Sequence, residues 1–136
     1  MTGRGSPWRG LAGGVLLLFV LAAGCAAPPG PAGPPPAPIA NETADVLYFW
    51  GVGCHACHAV TPFVEELARA HPRVRFEAVE TYGNQTNTSR FYAVNRALNA
   101  TPQGLPEVVA DGRAFFGEAA IRSGLPGAVR AIEARR

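Results

Sequence analysis

The segment Asp45-Val-Leu-Tyr-Phe-Trp50 runs through Gly51-Val-Gly53 straight into Cys54-His-Ala-Cys57. An unbroken run of β-branched and aromatic residues predicts a buried strand, and the two glycines stop it. Beyond the cysteines, Val60, Phe63, Val64, Leu67 and Ala68 recur at helical spacing up to His71-Pro72. The cysteine pair therefore sits at the junction where a strand ends and a helix begins. Such a junction offers unpaired N–H groups and the positive end of a helix dipole, which favour a thiolate. Cys54, at the helix start, is the expected nucleophile. Cys57, one turn in, is placed to attack a mixed disulfide and release its partner.

The rest of the chain supplies a sheet for that helix to pack on. Pro62 lies inside the first helix and is expected to kink it. Residues 74–79 alternate Val-Arg-Phe-Glu-Ala-Val, the period of a second strand. Residues 80–88 read as a polar loop. Ser89 to Leu98 reads as a helix with Phe91, Val94 and Leu98 on one face. A loop with Gly104 leads to Pro106. Val108–Ala110 and Ala114–Phe116 flank Asp111-Gly112, a strong hairpin signal. A last helix is expected from about Pro126 to Arg135, with Val129 and Ile132 inward. The first two strands, joined by a helix, should be parallel with a right-handed crossover. Trp50, Phe63 and Phe91 read as core, Phe115-Phe116 as hairpin packing, and His71 as an exposed helix end.

The N-terminal third has a different character. Residues 1–24 read as an export signal, 25–43 as a tether and 44–136 as the folded domain. Arg4 and Arg9 precede a 13-residue apolar stretch, Leu11–Ala23, short for a membrane span of about 20 residues. It ends Leu21-Ala-Ala-Gly-Cys25, which resembles a lipobox and implies a lipid on Cys25. A plain cleaved signal and an uncleaved anchor stay open, and all three export the domain. Residues 26–40 hold seven of the 13 prolines. Such a run favours extended polyproline II and can hold a domain roughly 40–50 Å off a membrane. Asn41, Asn84, Asn87 and Asn99, four of the five asparagines, each open an N-x-[ST] triplet. They are candidate glycosylation sites, although a polar loop explains the pair at 84 and 87 equally well.

Composition removes several chemistries. All 12 basic residues are Arg, so no mechanism that needs a lysine is open. The net charge of +2 resides in Arg4 and Arg9; beyond them 10 Arg face 10 Asp and Glu. A neutral domain has no field for nucleic acid. One domain of this size also has no room for separate cofactor and substrate lobes, and a monomer is expected.

At the cysteine pair the residues resemble the thioredoxin family. Phe49-Trp50-Gly-Val-Gly-Cys54-x-x-Cys57 is similar to that family's strand-end motif, and Pro62 falls where the family's helix-kinking proline does. Leu105-Pro106-Glu-Val-Val before a D-G hairpin is similar to its cis-proline segment. The resemblance spans about residues 45–133. It implies a thioredoxin fold of minimal, glutaredoxin-sized β-α-β-α-β-β-α order, an α/β sandwich with a four-stranded mixed sheet. It also implies a thiol–disulfide oxidoreductase with Cys54 attacking and Cys57 resolving, Pro106 in cis, and the backbone of Leu105 pairing with an extended substrate. No metal or organic cofactor is implied.

The sequence departs from the family in places. Tyr48 stands where the family has a buried acid, and Gly53 replaces a Trp. The first strand and helix of a full thioredoxin are missing. Between the cysteines lie His55-Ala56, and imidazoles at His55 and His58 are expected to favour the Cys54 thiolate.

The expected partners are extracytoplasmic protein thiols or disulfides and a membrane redox protein. Other readings stay open. Cys54-x-x-Cys57-His58 also spells a c-type haem attachment motif. Cys54, Cys57, His58 and either His55 or His71 make a possible zinc set. A structural disulfide in a tethered interaction domain is the third.

Overall fold

The computed structural model describes residues 43–136. The expected export signal, Cys25, the Pro-rich stretch and Asn41 lie outside the described residues. The order is β1 (Val46–Trp50), α1 (His55–Ala70), β2 (Phe76–Glu80), α2 (Gln85–Ala97), β3 (Glu107–Ala110), β4 (Arg113–Phe116) and α3 (Gly117–Ala134). The sheet order is β2-β1-β3-β4. β1 and β2 are parallel, while β3 is antiparallel to both β1 and β4. This is a mixed four-stranded sheet with three helices, a thioredoxin-like α/β fold. Among the described residues no helix is long and apolar enough to cross a membrane.

Strand alternation divides the core in two. Val46, Tyr48, Val108 and Ala110 point to one face, where α1 packs through Val60 and Val64 and α3 through Ile121, Leu125, Ala128, Val129 and Ile132. Leu47, Phe49 and Val109 point to the other, under Phe91 and Val94 of α2. Phe49 and Phe91 meet edge to face with ring centroids 5.2 Å apart. Phe115 packs on the α1–α3 face, over Gly124, where any Cβ would collide with its ring.

Three boundaries differ from expectation. β2 begins at Phe76 rather than at residue 74, because the Val74 N–H bonds the His71 carbonyl and closes a turn. Only beyond it does parallel pairing with Val46 begin. α2 begins at Gln85 rather than Ser89, because the Asn84 side chain accepts from the Asn87 N–H at 3.1 Å and caps the helix. The expected polar loop is thus shorter by one helical turn.

α3 begins at Gly117, far ahead of Pro126. Gly117 takes φ +74° and turns the chain out of β4. The helix then runs through Pro126. An interior proline costs about 3 kcal/mol, but Ile121, Leu125, Val129 and Ile132 are all buried. At about 1.5–3 kcal/mol each, their burial outweighs the proline.

Candidate active site

Parallel β1 and β2 both end at the edge from which α1 departs, and antiparallel β3 starts at that same edge. Phe49 pairs with Glu107, so Leu105-Pro106 lies level with Trp50, next to the loop that leads into Cys54. The sheet therefore brings the cysteine pair and the Pro106 segment to one end. The Leu105–Pro106 bond is cis. The Pro106 carbonyl accepts from the Gly117 N–H at 2.9 Å, and Leu105 packs on the α2-side core.

Cys54 and Cys57 form a disulfide with Cα atoms 5.2 Å apart. Cys54 is the N-cap of α1, and its sulfur accepts from the Cys57 N–H at 3.1 Å. That N–H is one of the orphan donors of the first helical turn. A thiolate on Cys54 would inherit the same donor. Cys54 is partly exposed, whereas Cys57 is 1% exposed. The two sulfurs thus differ in access.

The loop before Cys54 is held from β2 and from the β2–α2 loop. The Val52 N–H donates to the Glu80 carboxylate at 3.2 Å. Thr81 donates from both its N–H and its hydroxyl to the Trp50 carbonyl, each at 2.9 Å. Thr88 in turn donates to the Thr81 carbonyl at 2.7 Å. Gly51 lies under the Tyr82 ring, and a Cβ there would stand 2.5 Å from it.

Beneath Cys57 lie two hydroxyls. The Tyr48 hydroxyl donates to the Cys57 carbonyl at 3.1 Å, and the Thr61 hydroxyl donates to the same oxygen at 2.9 Å. The two hydroxyls are 3.0 Å apart. Burial raises the Tyr48 pKa above 10, the Thr61 contact opposes this, and the charge of Glu65 adds to it. Tyr48 is therefore a hydrogen-bond donor at neutral pH and not a base. A pocket of about 560 Å³ opens between α1 and β2, with Tyr48, Trp50, Cys57, His58, Glu65 and Phe76 among its walls.

His55, the first residue of α1, and His58, one turn on, are both exposed at this end. His71 is not. It closes the far end of α1, 16 residues or about 24 Å away, and its Nδ1 lies 2.7 Å from Glu133. It is half-buried rather than exposed, and it is out of reach of the cysteines. Among the described residues no three His, Cys, Asp or Glu side chains form a metal-binding group.

The candidate glycosylation sites that fall within the structure are differently placed. Asn84 is exposed, with its oxygen engaged in the α2 cap. Asn87 is half-buried, and its Nδ2 donates to the Glu80 carbonyl at 2.8 Å. Asn99 is exposed in the turn after α2, at φ +52°.

No protein-family model matches the chain, and no curated protein matches it. Two solved structures are similar to it in fold. One is a buckwheat glutaredoxin–glutathione complex, at 13% identity and TM-score 0.45, over 65% of this chain and 74% of that one. The other is a mutated buckwheat glutaredoxin, at 13% and 0.48, over 68% and 79%.

Sequence reasoning did not single out Glu107. It follows the cis bond directly, and no part of it reaches solvent. Its Oε1 accepts from Asn95 Nδ2 at 2.8 Å. Burial pushes its pKa up to about 7, against the opposing Asn95 hydrogen bond. A charged residue directly after Pro106 was the only signal the sequence held, and nothing in it showed that the side chain turns inward.

Proposed function

We propose that the protein is a thiol–disulfide oxidoreductase that exchanges disulfides with extracytoplasmic proteins through Cys54 and Cys57. The observation that carries this reading is the disulfide at the N-terminus of α1, with one sulfur partly exposed and the other buried. A substrate thiolate attacks Cys54 Sγ, the Cys54–Cys57 bond breaks, and its electron pair leaves on Cys57. A second substrate thiolate then displaces Cys54, which departs as a thiolate, and the substrate leaves oxidised. In the reducing direction Cys54 thiolate attacks a substrate disulfide and expels one substrate thiolate. Cys57 then attacks Cys54 and expels the other. The N–H of Cys57 supports negative charge on Cys54 in either direction.

The segment at Leu105 and Pro106 is the reading's substrate platform, because it reaches the same sheet end as Cys54. His55 and His58, both exposed beside the sulfurs, are the proposed tuners of the Cys54 thiolate. Export, a lipid on Cys25 and a membrane redox partner complete the reading. They rest on the leader and the Pro-rich tether.

The test is the reduction potential of the Cys54–Cys57 pair in the full chain, equilibrated with glutathione and read by thiol trapping. A value near about −120 mV makes the protein a disulfide donor, and one near about −270 mV makes it a reductant. A pair that stays oxidised in excess dithiol overturns the exchange reading.

A further inference from the structure

The start of β3 holds a buried polar pair that the sulfur chemistry does not use. Asn95 Nδ2 donates to Glu107 Oε1 at 2.8 Å and to the Phe91 carbonyl at 3.0 Å. Two buried atoms of the pair remain without partners: Glu107 Oε2 and Asn95 Oδ1. Were Glu107 a carboxylate, both would be acceptors, enclosed in an apolar face with no donor between them. That arrangement carries a large desolvation cost.

One proton removes the conflict. On Glu107 Oε2 it creates the donor that Asn95 Oδ1 lacks. Acid and amide then satisfy each other through two hydrogen bonds, and neither side chain keeps an orphan atom. The surroundings agree. This face receives Leu47 and Phe49 from β1, Val79 from β2, Phe91 and Val94 from α2, and Ala114 from β4. Phe116 of β4 is the cross-strand partner of Glu107. None of these ionises. The charged residues of α2 are engaged elsewhere or exposed: Arg90 binds Glu77, and Arg96 faces solvent.

We propose that Glu107 is a neutral carboxylic acid whose O–H bonds the Asn95 carbonyl, and that this closed pair is the positioning device for the Leu105-Pro106 substrate segment. Glu107 is the residue next to Pro106, so whatever fixes its side chain fixes the end of that segment. α2, which carries Asn95, becomes the rigid support behind it. Ionising Glu107 restores the clash of acceptors, draws in water and loosens the segment. The substrate part rests on the exchange reading above; the protonation state does not. Among the described residues Glu107 has no cationic partner, and burial holds the proton up to a pH of about 7.

The test uses the reduced full-length protein and its Glu107→Gln variant. Gln supplies the same acceptor and a permanent N–H donor to Asn95. Two rates are measured from pH 6 to 8.5: exchange with an extended peptide disulfide, and alkylation by iodoacetamide. Both need the Cys54 thiolate, but only the peptide needs the Pro106 segment, so their ratio cancels the thiol titration. The expected ratio for the wild type falls by about threefold or more across this range, while that of Glu107→Gln stays level near the wild-type value at pH 6. Infrared spectra supply a separate readout. A carboxylic-acid C=O band is expected in the wild type at pH 6, absent from Glu107→Gln. A level wild-type ratio, or no such band, overturns the proposal. Normal alkylation with no peptide exchange at any pH overturns the exchange reading and the positioning role with it; the band still reports on Glu107 alone.

Discussion

The Tyr48 hydroxyl reaches across from β1 to the carbonyl oxygen of Cys57 at 3.1 Å. One oxygen in the first turn of α1 thus accepts from a tyrosine of the sheet and from Thr61 of its own helix. Cys57 is thereby tied to the strand beneath it through its backbone carbonyl, and its sulfur takes no part in that contact. Removing the phenol oxygen with Tyr48→Phe is expected to lower stability by about 0.5–1.5 kcal/mol. Urea denaturation of the oxidised protein measures this. An unchanged midpoint would show that Thr61 alone suffices.

The two sulfurs differ in access, and their variants should differ accordingly. Cys57→Ala leaves the partly exposed Cys54 unable to be resolved, so mixed disulfides with substrate should accumulate on it. Cys54→Ala leaves only Cys57, at 1% exposure, and should trap little. Non-reducing gels of proteins recovered from intact cells distinguish the two. Equal trapping by both variants would contradict the assignment of roles.

Gly51 is fixed by the ring above it. A Cβ at this position meets the Tyr82 ring at 2.5 Å, closer than any real contact, and Gly51 is the residue that opens the loop to Cys54. Gly51→Ala should cost about 1–3 kcal/mol through overpacking. In the Gly51→Ala/Tyr82→Ala double variant much of that cost should vanish. A double-mutant cycle measures the coupling, and strictly additive effects would refute the contact as its source.

Glu107 gives stability a pH dependence of definite sign. The unfolded chain releases this proton near pH 4.5, whereas the folded chain keeps it to about pH 7. Between those values the folded state binds more protons, so this residue makes stability fall as pH rises. The loss approaches about 3 kcal/mol, at about 1.4 kcal/mol per unit, and levels off above pH 7. Glu107→Gln should remove that slope and be the more stable protein at pH 8. Denaturation midpoints of both proteins from pH 4.5 to 8 measure the difference. Parallel curves would mean that Glu107 is already ionised when folded.

Much of the frame was legible because it depends on local pattern. The apolar run before the paired cysteines, the helical spacing after them and Asp111-Gly112 each specify one element through nearest neighbours in sequence. The parallel crossover and the added hairpin followed from chirality and turn geometry. The errors fell where distant packing overrode local preference. Pro126 reads as a helix start, yet α3 begins nine residues earlier because Ile121 and Leu125 find a buried face against α1 and the sheet. Residues 84–88 read as loop, yet Asn84, Asn87 and Thr88 spend their polar groups on a cap and on β2–loop carbonyls.

The site divides along the same line. Cys54 and Cys57 were visible because their chemistry lies in spacing and in the strand–helix junction, both properties of a short stretch of chain. Tyr48 was visible only as a departure from a pattern; its bond to the Cys57 carbonyl needed α1 folded back over β1. Glu107 was visible only as a charge after Pro106, and its burial was not visible at all. A glutamate in sequence carries no mark of its dielectric surroundings, and its protonation is decided by the apolar faces of β1, β4 and α2 that close around it. Covalent order determined which atoms could react. Only tertiary burial decided which of them would hold a charge.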